Sequence, residues 1–132
     1  MKPDGRALRI DDGVLAVALL FGWVFKLEWL IPVWAAIELL NALSGAQFGP
    51  VLRVAQEVVL PRMGGVATPV DAAATRFAWM VEAAVLSVAT LLWLGGESGI
   101  AWILVLVVAA VAAFGATTGV HALVELYHRR AR

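Results

Sequence analysis

Cysteine is absent from the chain, which excludes disulfides, thiolate nucleophiles, iron–sulfur clusters and Cys-ligated zinc. Charge is scarce as well. Only 15% of the 132 residues are Asp, Glu, Lys or Arg, against ~25% in a typical soluble domain. Ten basic residues balance ten acidic ones, so no net field draws in nucleic acid, and no RNA- or DNA-binding motif is present. Two histidines are too few for a convincing triad. Ser44, Ser87 and Ser98 stand outside any nucleophile motif, and no phosphate loop or metalloprotease signature occurs. These absences point away from an enzyme, and no cofactor or metal is expected.

What the chain has in excess is apolar surface. Hydrophobic residues make up 62% of it, where ~45–50% is usual for a soluble domain. A body this small leaves roughly a third of its extended-chain surface facing solvent, so lipid is a better solvent for it than water. Residues 1–12 carry three basic and three acidic residues and run into apolar sequence without a signal-peptide cleavage pattern. The segment is read as retained.

Four apolar stretches stand out: residues 13–25, 29–43, 77–94 and 100 to about 126. A spanning helix needs ~20 residues, with a lower limit near ~17. The last two stretches meet that length and the first two are short. Residues 13–43 admit two readings. One long tilted helix would bury Lys26 and Glu28, at ~2.5–3.5 kcal/mol per central charge, and would carry Pro32 inside, at ~3 kcal/mol. A hairpin turning at residues 26–28 keeps both charges at the surface and is preferred. Residues 95–99, Gly-Gly-Glu-Ser-Gly, are too short for anything but a second tight turn. Trp23 and Trp29 flank the first turn, and Trp93 and Trp102 the second, at the depth where indole rings concentrate.

The fold expected is therefore an all-α integral membrane bundle of four transmembrane helices, one domain over residues 1–132. It comprises a hairpin over about 10–47, a cytoplasmic or interfacial segment over about 48–75, and a second hairpin over about 76–128. Arg53, Arg62 and Arg76 of the middle segment, with the basic residues of both termini, contrast with Lys26 alone in the tight turns. The positive-inside rule then places both ends in the cytoplasm, at a bacterial cytoplasmic membrane. Residues 50–60 read as a short amphipathic helix, with Val51, Val54, Ala55 and Val58 on one face and Arg53, Gln56 and Glu57 on the other. It either lies flat in the headgroup region or packs on the bundle. A weak echo joins the halves: Arg9, Val14, Ala16 and Leu19 recur at fixed spacing as Arg76, Val81, Ala83 and Leu86, as a duplicated hairpin would produce.

Several short motifs carry a resemblance. They are Phe48-Gly49-Pro50-Val51-Leu52-Arg53, Leu60-Pro61-Arg62, Pro69-Val70-Asp71 and Arg76-Phe77-Ala78, with acidic Glu38 in the second helix. Together they resemble a bacterial membrane family known as domain of unknown function 4395. The resemblance implies a membrane helical architecture. Members commonly end the last helix with Cys-x-Gly-Cys and a Tyr. Here Thr117-Thr118-Gly119-Val120 stands in its place, with Tyr127 beyond, so no thiol chemistry carries over.

Ionisable groups at membrane depth are costly and mark function or interhelical contact. Glu38 and Asn41 share a face of the second helix, Glu82 lies in the third, and Thr117, His121 and Glu125 form a stripe on the fourth. Glu38, Asn41, Glu82, Thr117 and His121 are the candidate intramembrane polar site. It serves as interhelical glue, exchanges protons or cations, or contacts a partner subunit. Glu125 is expected to reach the headgroups. Gly115 and Gly119 form a small-xxx-small pair suited to close packing, within the chain or on a partner. The function expected is a non-enzymatic accessory or scaffold subunit, with the bilayer and other membrane subunits or further copies as partners. The alternative is a small transporter or proton-coupled carrier using intramembrane Glu and His.

Overall fold

The computed structural model describes residues 5–44, 49–65, 71–118 and 122–131. All regular structure among them is helical. In chain order come α1 (Gly5–Val24), α2 (Leu30–Ser44), α3 (Pro50–Val54), a π-helical turn (Ala55–Val59), α4 (Leu60–Met63), α5 (Ala72–Leu94), α6 (Ser98–Thr118) and α7 (Ala122–Ala131). Two helices, Ala72–Leu94 and Ser98–Thr117, are long and apolar enough to cross a membrane. Helix α2 is apolar but has 15 residues, and α1 has 20 but carries Arg6, Arg9, Asp11 and Asp12.

The chain breaks between α1 and α2, so residues 13–43 are two helices and not one. Lys26 adopts φ 55°, in the left-handed region. That conformation lets the Lys26 N–H donate to Trp23 O at 3.3 Å and the Leu27 N–H donate to Gly22 O at 2.8 Å. The pair of bonds is a Schellman motif, which satisfies carbonyls left over at a helix end. The second turn repeats it. Gly96, at φ 90°, donates to Trp93 O at 3.0 Å, and Glu97 donates to Leu92 O at 2.8 Å. The Ser98 hydroxyl donates to Glu28 Oε2 at 3.3 Å and ties both turns together at one end.

The four long helices α1, α2, α5 and α6 alternate in direction. Helix α1 packs mainly on α6, α2 on α5, and α5 on α6, while α1 and α2 touch sparingly. Helical spacing accounts for the core. Leu15 and Leu19, Ile31 and Ala35, Leu86 and Ala89, and Ala101, Val105, Val108 and Ala112 each follow a three- or four-residue step and meet in one cluster. At the α1–α6 contact, a Cβ placed on Gly13 would sit 3.7 Å from that of Ala116, so small residues set the approach. Arg9 reaches across to α6, donating to Ala116 O at 3.1 Å and Thr117 O at 3.2 Å.

The sequence echo has a structural counterpart. The buried positions of α1 are Ala7, Asp11, Asp12, Leu15, Ala16, Leu19 and Gly22. At the spacing that separates Arg9 from Arg76, they fall in order on Ala74, Ala78, Trp79, Glu82, Ala83, Leu86 and Ala89, all buried in α5. Together with the matched turns and the matched α1–α6 and α2–α5 pairings, this makes each hairpin a structural repeat of the other.

Two expectations need correction. The buried face of the middle helical segment holds Leu52, Ala55 and Leu60, which pack with Ala7, Ala42 and Trp79, whereas Val54 and Val58 are exposed. The π-helical turn widens the buried step from Ala55 to Leu60, which carries Leu60 onto the same face. Second, α5 starts well before residue 77, at Ala72. Asp71 caps it, accepting from Ala73 N at 3.0 Å and Ala74 N at 3.1 Å. At the C-terminal end of the described residues, α7 packs on α5, where Tyr127 packs against Phe77 with ring centroids 5.5 Å apart and His128 pairs with Asp71.

A buried carboxyl cluster as candidate functional site

Four acidic side chains and one amide from α1, α2 and α5 are buried together. Glu38 and Asn41 are fully buried, and Asp11, Asp12 and Glu82 retain 2%, 8% and 2% of their exposure. Each is carried inward by the apolar neighbours of its own helix face: Asp11 by Leu15, Asp12 by Ala16 and Leu19, Glu38 by Ala35 and Ala42, and Glu82 by Ala78 and Leu86. The Glu38 and Glu82 carboxyl groups face each other across the α2–α5 contact, with Asp11 and Asp12 within electrostatic reach of both. Two like charges 4 Å apart repel by about 4 kcal/mol even at an effective dielectric of ~20. A cluster of this kind persists only with protons, cations or donor groups to neutralise it.

Helix α2 adds a second feature. Neither oxygen of Glu38 completes a hydrogen bond of good geometry, although Glu82 lies opposite, and both polar atoms of Asn41 and the indole nitrogen of Trp34 are buried without a partner. Residues 34, 38 and 41 follow the helical step, so these atoms line one stripe along α2. Buried polar atoms are nearly always paired, and each left unpaired costs about 1–3 kcal/mol. Asn41 also lies against Gly49, where a side chain would overlap its amide oxygen. Glycine is needed at that position for space.

Of the residues singled out from sequence, Glu38, Asn41 and Glu82 come together. Thr117 does not join them: it is exposed, and its hydroxyl donates to Ala113 O at 2.9 Å in its own helix. Gly115 is buried within the chain's own packing. His121 and Gly119 lie outside the described residues, and Glu125 is exposed. Sequence reasoning missed Asp11 and Asp12, which it took as part of the charged start ahead of the first apolar run. Stepping back from Leu15 and Leu19 in helical turns reaches both, a signal that the apolar-run criterion passes over. Among the described residues, no three Asp, Glu or His side chains are placed to hold a metal ion.

Over residues 4–128 the chain matches the family model described as Domain of unknown function (DUF4395). The chain belongs to this family. No curated protein and no solved structure matches it. The residues that carried the resemblance take separate places in the fold. Gly49 makes room for Asn41, Leu52 and Leu60 pack beneath α1, Asp71 caps α5, and Phe77 receives Tyr127. Phe48, Pro69 and Val70 fall outside the described residues.

Proposed function

We propose that this DUF4395 member is a non-enzymatic, multi-pass protein of the cell membrane that takes up and releases protons at the Glu38–Glu82 pair, with Asp11 and Asp12 as further proton-accepting groups. The observation that carries the reading is the burial of four carboxyl groups from three helices beside a stripe of unpartnered polar atoms on α2. Interhelical glue needs only paired polar atoms, each worth on average ~0.6 kcal/mol, and the Glu38–Asn41 stripe exceeds that need. Carboxyl groups buried among apolar helices are the usual elements of intramembrane proton relays.

Four spans, formed by α1, α2, α5 and α6, suit the alternating helix directions and the apolar exterior. Val17, Val24, Leu43, Leu91, Leu94 and Ile103 are each more than 60% exposed, a surface that favours lipid over water. Arg6, Arg9, Arg53, Arg62, Arg76, Arg129 and Arg130 belong to the end away from the tight turns, and Lys26 alone to the turn end. That distribution supports cytoplasmic termini.

The test is reconstitution of the full chain in liposomes carrying an internal pH indicator. An imposed pH gradient is expected to dissipate faster with the wild-type chain, and Glu38→Gln and Glu82→Gln are expected to abolish the increment. A wild-type chain that leaves the gradient untouched refutes the carrier reading. A scaffold or accessory subunit is the second reading, favoured by the broad apolar face that α1 leaves uncovered at Val17, Phe21 and Val24. Co-purification of a stoichiometric membrane partner, without proton flux, would select it.

A further inference from the structure

The two hairpins differ in one respect. Helices α5 and α6 pack along each other, whereas α1 and α2, their counterparts, touch sparingly, and an open groove runs along α1 to the turn that leads into α2. The groove has a volume of about 760 Å³ and is lined by Ile10, Val14, Val17, Phe21, Trp29 and Leu30 among others, all apolar. Because the second hairpin closes the equivalent seam, the hairpin design does not require the opening.

From the groove along α1 we infer a binding site for one acyl chain of a phospholipid, with its phosphate toward Lys26. The inference rests on the membrane reading above. Three features select this occupant. The groove follows α1 from Ile10 to Phe21, ~17 Å at 1.5 Å per residue, close to the ~15 Å depth of one leaflet of a ~30 Å core. Its lining is apolar along this whole length, which suits a hydrocarbon chain. At its turn end, Leu27 and Trp29 line the groove beside Lys26, the one basic residue of either tight turn. Ammonium and indole groups at headgroup depth complement a lipid phosphate.

The experiment is native mass spectrometry of the full chain, purified from membranes in mild detergent and washed with excess detergent, with phosphatidylglycerol then added back. Wild type is expected to retain one phospholipid per chain. Ala18→Phe fills the groove from its floor and is expected to lower retention at least tenfold, whereas Val24→Phe, on α1 outside the groove, leaves it unchanged. Lys26→Gly removes the charge while suiting the left-handed backbone, and is expected to lower retention severalfold without loss of folded protein by circular dichroism. Wild-type chain that purifies from membranes and binds no lipid, or equal retention in Ala18→Phe, overturns the groove assignment and leaves the membrane reading intact. A second copy of the chain in place of lipid overturns it too. Recovery of the chain from the soluble fraction would instead remove the membrane reading on which the groove depends.

Discussion

Nε2 of His128 lies 3.1 Å from Oδ2 of Asp71, while Oδ1 of the same carboxylate accepts the N–H groups of Ala73 and Ala74. One exposed side chain thus starts α5 and holds α7 against it. The Ala74 N–H, followed by His128, holds the Asp71 carboxyl below its ordinary value of 3.8. A carboxyl with a lowered folded-state value contributes stability in full above the ordinary value and loses it as pH falls through the folded one. Asp71→Ala is therefore expected to speed amide exchange at Ala73 and Ala74 at neutral pH. Its difference from wild type should close below pH 3.8. Asp71→Asn keeps a capping oxygen and should protect those amides far better. Equal exchange in Asp71→Ala and wild type at neutral pH would refute the cap.

Glu38→Leu separates function from stability. Replacing a buried, incompletely bonded carboxyl by an apolar side chain of similar size is often stabilising. The variant is expected to gain about 1 kcal/mol or more in detergent unfolding while losing proton flux. A fall in stability would mean that Glu38 serves as interhelical glue.

At the first turn, Lys26 holds a left-handed conformation that costs a residue with a side chain roughly 1 kcal/mol more than glycine. Lys26→Gly should raise the unfolding midpoint by a stability increment of about 0.5–1 kcal/mol. The equivalent Gly96 predicts the reverse: Gly96→Ala should destabilise by a similar amount. No change in either variant would argue against the paired Schellman turns.

Gly49→Ala drives a methyl group into the fully buried Asn41 amide. Overpacking of this kind costs about 1–3 kcal/mol. The double variant Gly49→Ala/Asn41→Ala should recover much of that loss, because the clash and its partner are removed together. Additive losses, measured by chemical unfolding, would show that Gly49 and Asn41 do not touch.

Much of the fold is legible in the chain because it depends on local pattern. The two turns follow from Lys26, Glu28 and the Gly-Gly-Glu-Ser-Gly segment, which lie where apolar runs stop. The repeat of α1 in α5 follows from identical spacing of Arg, Val, Ala and Leu. Glu38, Asn41 and Glu82 were identifiable because polar residues inside apolar helices are conspicuous. Asp11 and Asp12 were not, since charge at the start of an apolar run reads as a polar flank until packing shows which face turns inward.

The order of residues along the chain determined the helices, the turns and the family, because each depends on periodicity over a few residues. Tertiary structure alone decided which helices touch. It placed α1 on α6 and α2 on α5, drew carboxyl groups from three helices together, opened the α1–α2 seam and set α7 against the start of α5 at Asp71. Those outcomes depend on how side-chain volumes from distant segments interlock, and spacing within a single helix does not encode that.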